Sequence, residues 1–244
     1  MQFRAVLGAI LLSLCAAGCA ITPNADLQQF AANSGRNSFE VFDRALQSPT
    51  ALVLPVEHDR QYAGPSCGAH ALASVVNYWN GAESITGEAI FRAHPPAAEA
   101  GYSMAEVMAL AREQDLLASA VRLSQDHIIR ELEAGRPVLV PVRLPSIYVQ
   151  QLQLPGGDAP VVGVARNALI YRAGRVSEMT SLAMVNHYLL VVGYGEDRFV
   201  VIEPVMGYRT ISFEKLERYR RAFGDAAIVF SGQGPPRGAA AVES

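Results

Sequence analysis

The pattern of the chain changes at Gly135-Arg136-Pro137, and that change limits the folds open to it. Before it, apolar residues recur at helical spacing behind capping residues. Ser66 precedes Ala71, Leu72, Val75, Val76 and Trp79. Thr86 opens a second helix to about Ala93, stopped by Pro95-Pro96. Ser103-Met104-Ala105-Glu106 reads as a capping box opening a third helix through about Gln114. Ser124 opens a fourth, which Gly135 ends. After the switch the runs are strand-like: Val138–Val142, Tyr188–Tyr194 and Phe199–Ile202, the last two joined by a turn at Gly195–Arg198. Tyr208–Ser212 is a further short strand, Ser212 caps a last helix to about Phe223, and Ala226–Phe230 closes the sheet. Helices first and an antiparallel meander afterwards predict an α+β fold. With 244 residues, half of them hydrophobic, the chain can bury one core of ordinary size. That core is expected over residues 51–231, with an insertion at 145–182.

The ends read differently. Met1 to Arg4 supplies one positive charge, and Ala5 to Ala17 is a largely apolar run too short to span a bilayer as a helix. It ends in Ala16-Ala17-Gly18-Cys19, which resembles the lipobox of bacterial lipoproteins, where the cysteine is lipidated and becomes the new N-terminus. The resemblance implies a signal peptide over residues 1–18, lipid on Cys19 and, with Ala20 following, an outer-membrane location facing the periplasm. The alternative is a plain secretory signal cleaved near Ala20. Residues 19–50 read as a tether with one short helix around Phe39–Leu46, beyond which Leu52–Val56 is a short strand or extended segment. Residues 232–244, rich in Gly, Pro and Ala, read as a disordered tail. The net charge of −3 and the lack of any Lys/Arg run argue against nucleic acid as a partner.

Of the three cysteines, Cys15 leaves with the signal and Cys19 carries lipid, so Cys67 stands alone. No disulfide is open to it. In an oxidising compartment a lone thiol is either buried and inert or chemically used. Its position in the first turn of a helix favours the thiolate. Gly68 leaves the approach to sulfur open. His187 stands at the start of a strand, where it can face a cleft. Glu203 ends the returning strand, so a tight hairpin brings its carboxylate beside His187, where it would orient the ring. Gln61, six positions before Cys67, could aim its side-chain amide at the same oxyanion as the Cys67 N–H. Each of these residues has an ordinary structural explanation alone; their combination points to a thiol nucleophile. His70, three residues after Cys67, makes a Cys-x-x-His pair, but no further zinc ligands stand at recognisable spacing. No metal or cofactor is expected. His58, His94 and His127 show no partner in the sequence.

Gln61, Ser66-Cys67-Gly68, Tyr78, Gly135-Arg136-Pro137-Val138, and His187-Tyr188 leading through Val191-Val192-Gly193 to Glu203-Pro204 resemble the C39-like cysteine peptidases. These are papain-like proteins, best known as peptidase domains of bacteriocin exporters that cut leader peptides after a double glycine. The resemblance implies Cys67 as nucleophile, His187 as general base and acid, Gln61 as oxyanion donor and Glu203 in the orienting position, where the family usually has Asp. It implies a papain-like fold with N-terminal helices on a C-terminal antiparallel sheet, and a peptide or protein substrate or a peptide exporter as partner. Two other readings stand beside an endopeptidase: an inactive C39-like module binding a peptide or exporter, and a thiol acyltransferase of transpeptidase or transglutaminase type. The 145–182 insertion is expected to form a flap or wall over the cleft.

Overall fold

The computed structural model describes residues 40–41, 52–62, 64–81, 83–149, 160–195 and 197–234. The expected signal peptide, Cys19, most of the tether and the tail beyond residue 234 lie outside the described residues. In chain order the elements are β1 (Glu40–Val41), β2 (Leu52–Val53), α1 (Cys67–Asn80), α2 (Gly87–Ala93), α3 (Met104–Glu113), β3 (Leu117–Arg122), α4 (Gln125–Glu133), β4 (Val138–Pro145), α5 (Pro160–Thr180), β5 (Met184–Tyr194), β6 (Arg198–Glu203), β7 (Gly207–Ser212), α6 (Phe213–Arg220) and β8 (Ala226–Ser231). Short 3-10 turns follow β4 (Ser146–Tyr148) and α6 (Arg221–Phe223).

The expected α+β architecture is present: helices pack on an antiparallel sheet whose strand order is β1-β7-β6-β5-β4-β8-β3, with β2 added beside β5. The meander β4 to β7 forms its middle. β5 lies at its centre, with Tyr188 to Val192 all in the core. Helix α1 is buried on nearly every face, as expected of a helix central to a core. Leu72, Val75 and Val76 are fully enclosed, each burial contributing roughly 1.5–3 kcal/mol. The small residues Ala69, Ala71, Ala73 and Ser74 let α2, α3 and β5 press against it. The far end of α1 is tied to the switch point: the Tyr78 hydroxyl donates to the Gly135 carbonyl at 3.0 Å. Gly135 has a φ of +72°, which lets α4 end and the chain turn into β4.

The caps behave as the sequence predicts. Thr86, Ser124 and Ser212 each accept a backbone N–H in the first turn, and Ser103 with Glu106 completes a capping box. Ser66 is the exception: it occupies the cap position of α1 but makes no side-chain capping bond.

Four features differ from expectation. Glu40–Val41, within the expected tether helix, is instead a strand paired with β7. β3 was not foreseen; of its six residues only Ala118 is buried, so it lacks the alternation that announces a strand. β5 begins at Met184, so His187 lies inside the strand rather than at its start. The insertion contains a 21-residue helix, α5. The described contacts of α5 centre on Glu178, which accepts from the Tyr219 hydroxyl at 2.5 Å and lies 3.7 Å from Arg218.

Candidate active site

The site joins one element from each half of the fold. α1 supplies the thiol: Cys67 is its first residue, buried to 7 % exposure, among the backbone N–H groups that a helix leaves without internal acceptors. Space beside it is controlled by Gly68. A Cβ there would lie 3.1 Å from the Cβ of Tyr102, so a side chain would fit only if Tyr102 gave way slightly. Tyr102 is fixed in turn: its hydroxyl donates to His94 O at 2.6 Å, and the Tyr188 hydroxyl donates to Tyr102 O at 3.2 Å. Sequence reasoning did not identify Tyr102 or Tyr188 at the site. The only available signal was Tyr102 directly before a capping box.

The sheet supplies the imidazole and its carboxylate. β5 and β6 pair Tyr194 with Phe199 and Gly193 with Val200, but then shift to Val191 with Val201 and Leu190 with Ile202. The shift is a β-bulge at Val192. Continued past Ile202, the shifted register sets Glu203 opposite Leu189, on the face of the strand that carries His187. Without the bulge Glu203 would face Leu190 and project from the other side of the sheet. The bulge therefore brings the two together: the His187 Nε2–H donates to Glu203 Oε1 at 2.6 Å. Glu203 has no exposed surface, and its two oxygens also accept the Val205 N–H at 3.1 Å and the Met206 N–H at 2.6 Å. Such a carboxylate keeps its proton acceptors turned to the ring and to the following turn. With Nε2 committed to Glu203, Nδ1 is the ring nitrogen left for the thiol.

The electrostatics agree with that arrangement. Burial by itself pushes the Cys67 thiol up, but the charge of His187, its hydrogen bond, and the backbone N–H groups of Tyr188 and Gly68 bring it below its ordinary 9.0. Burial likewise opposes charge on His187, and there Cys67 and then Glu203 outweigh it, holding the imidazole above its ordinary 6.5. Each group thus favours the charged form of the other, a thiolate–imidazolium pair. The nearby phenols stay neutral: burial, then Glu106 and Cys67, push Tyr102 up to about 12.

Gln61 is 4 % exposed. Its backbone N–H donates to Pro204 O at 2.8 Å, tying the loop before α1 to the turn after Glu203. Its side-chain Nε2 donates to Gly64 O at 2.6 Å, while Oε1 has no partner among the described residues. The close carbonyl fixes which end of the amide is nitrogen. One amide hydrogen is committed to Gly64, and one remains for a substrate oxygen. The Cys67 thiol, the His187 ring and the Glu203 carboxylate meet directly; Gln61 is joined to them through Pro204 and through the loop leading to Cys67.

The other histidines have separate partners. His70 turns its Nδ1 to Asp59 Oδ1, which also accepts the Gly87 N–H at 3.0 Å. His58 Nε2–H donates to Pro204 O at 2.8 Å, His94 lies 3.4 Å from Glu113, and His127 bonds Ser124 Oγ at 2.7 Å. Among the described residues no group of three or more His, Cys, Asp and Glu side chains is arranged to hold a metal ion.

Residues 49–159 match the model of a family described as papain-like cysteine protease AvrRpt2. Over that stretch the chain is similar to papain-like cysteine proteases. The match spans Gln61, Cys67 and helices α1 to α4, and ends before α5, His187 and Glu203. Solved structures of similar shape include the double glycine motif protease of an AMS/PCAT transporter in complex with its leader peptide. It is 16 % identical, with 74 % of this chain and 94 % of that one covered, at a TM-score of 0.48. The peptidase domain of Streptococcus ComA, a bi-functional ABC transporter in a quorum-sensing pathway, is 13 % identical over 73 % of this chain and 99 % of itself, at 0.49. Xylellain, a cysteine protease from Xylella fastidiosa, is 15 % identical over 81 % and 91 %, at 0.40. No curated protein matches the chain.

Proposed function

We propose that the chain is an envelope-tethered cysteine endopeptidase that processes a secreted or periplasmic peptide or protein. The observation that carries this reading is the buried His187 ring, bonded through Nε2 to Glu203 and paired on its other side with Cys67 at a helix N-terminus. The Cys67 thiolate attacks the scissile carbonyl carbon, and the Cys67 N–H with the second Gln61 amide hydrogen stabilises the oxyanion. The C–N bond breaks as His187 gives its Nδ1 proton to the departing amine. Water then attacks the thioester while His187 takes its proton, releasing the acid and restoring the thiolate. Glu203 holds the ring and supports its positive charge through both steps.

The tether in this reading is lipid on Cys19, and the location is the outer membrane facing the periplasm. Lipid labelling and membrane fractionation of the full chain in a bacterial host test that part. Cys19→Ala should lose the label and release the protein from membranes; a variant still labelled and still sedimenting with membranes contradicts it. The catalytic part is tested by peptide mapping after incubation with an unfolded protein. The peptidase should cut it and Cys67→Ala should not, and cutting by Cys67→Ala would rule the mechanism out.

A further inference from the structure

A cavity of about 280 Å³ opens beside the turn that follows Glu203, lined by His58, Arg60, Val205, Met206 and Arg209. It is not part of the thiol–imidazole site, yet it is built from the same segments. Arg60 directly precedes Gln61, whose backbone N–H is bonded to Pro204 O. Val205 and Met206 give their N–H groups to Glu203. His58 is fixed by its bond to the same Pro204 carbonyl.

The lining carries two arginines and no carboxylate. Arg60 is exposed and lies over the Tyr62 ring at 5.2 Å. Arg209 donates to the Tyr208 carbonyl at 2.8 Å. The nearby acid Glu203 attracts Arg209, but its oxygens are taken up by His187 and the two turn amides. Two guanidinium groups in one lining supply the charge and the N–H donors that suit a carboxylate. Val205 and Met206 add apolar wall suited to a short methylene stem. The volume is at the small end for a ligand pocket, a size for one side chain or chain end rather than a large molecule.

Its side of the cleft follows from proton delivery. The departing amine must lie next to His187 to receive its proton, so the leaving-group part of a substrate runs toward the hairpin that carries His187 and Glu203. The cavity is formed by the turn ending that hairpin. We infer that this cavity is a subsite for a carboxylate on the leaving-group side of the scissile bond, either an Asp or Glu side chain or the substrate's own C-terminus. The inference rests on the peptidase reading above.

Partitioning of an acyl-enzyme tests it without knowledge of the natural substrate. 4-Nitrophenyl acetate acylates Cys67 with release of nitrophenolate. An added dipeptide then competes with water: its amine attacks the thioester carbonyl, the C–S bond breaks, His187 takes the amine proton and Cys67 leaves as thiolate. At equal concentration Gly-Glu-amide should capture the acetyl group about tenfold better than Gly-Lys-amide, the scale of one charge pair. Arg60→Ala should shrink that ratio and Arg60→Glu should invert it. Unblocked Gly-Gly capturing better than Gly-Gly-amide assigns the subsite to a chain terminus, and Gly-Glu-amide leading assigns it to a side chain. Equal capture of Glu and Lys amides together with no preference for unblocked Gly-Gly over its amide, capture of none of them, or a preference unchanged by Arg60→Glu overturns the inference while leaving the peptidase reading standing. Failure of Cys67 to be acylated at all overturns that reading, and the inference with it.

Discussion

His187–Glu203 and His70–Asp59 are both histidine–carboxylate pairs with buried rings at the first turn of α1, His70 as part of that turn and His187 against its Cys67. Only the first couples to Cys67. The groups that lower the thiol include His187 and the neighbouring amides, and His70 is not among them. The difference lies in what holds each carboxylate and where the ring's free side points. Asp59 accepts the Gly87 N–H, and its own backbone N–H donates to Ser74 Oγ at 3.0 Å. That pair staples the loop before α1 and the start of α2 to the side of α1. Glu203 is anchored on a strand end and a turn, and its ring stands on the neighbouring strand with Nδ1 turned to the sulfur. The same two functional groups make a structural clasp in one place and, in the proposed mechanism, a proton carrier in the other, and position in the fold decides which.

Four substitutions break or sharpen that contrast, from the largest effect to the smallest. His187→Ala removes both the base and the charge that lowers the thiol, so kcat/KM for peptide cleavage should fall by about 10³-fold or more. Glu203→Gln keeps the shape but loses the charge supporting the imidazolium, and cleavage should fall by about 10²–10³-fold. Gln61→Ala should cost about 10²-fold in kcat, the scale of one oxyanion donor. Its Cys67 should still react normally with iodoacetamide, because alkylation forms no oxyanion. His70→Ala should lower stability by about 1–3 kcal/mol in a denaturant titration, by leaving Asp59 underbonded, while kcat/KM stays within about twofold.

The pH profile sharpens the contrast further. A lowered thiol pKa extends the thiolate to the acid side of 9.0, and a raised imidazole pKa extends the imidazolium to the alkaline side of 6.5. The reactive pair fills the window between, so cleavage should follow a bell whose acid limb belongs to Cys67 and whose alkaline limb belongs to His187. Glu203→Gln should draw the alkaline limb downward. His70→Ala should move neither limb.

Much of this site was legible in the sequence because its parts sit at element ends. Cys67 follows a cap position before a helical apolar pattern, and Glu203 ends a run that must return beside His187. What could not be read is the bulge at Val192, because nothing in a run of apolar β residues marks where one is skipped. A simple hairpin would have put Glu203 on the wrong face, so the expected pairing depended on a feature invisible to pattern. β3 escaped for a related reason: Leu117 is 72 % exposed and Ala118 is its single buried residue, so neither face is marked. α5 escaped because its apolar residues do not form one stripe; Leu169, Val176 and Met179 all remain exposed. The Asp59–His70 clasp joins a loop to a helix, and the Arg60–Arg209 cavity joins that loop to a distant strand; contacts of both kinds have no sequence period.

The central claim is that His187, and not His70, makes Cys67 a thiolate. The most direct test is the rate of Cys67 alkylation by iodoacetamide as a function of pH, followed by peptide mapping in the unmodified peptidase, His187→Ala and His70→Ala. The account predicts a titration clearly below 9.0 in the unmodified peptidase and in His70→Ala, rising to 9.0 or above in His187→Ala, where burial acts unopposed by the imidazole. A titration at or above 9.0 in the unmodified peptidase, or one that His187→Ala leaves in place, would contradict it.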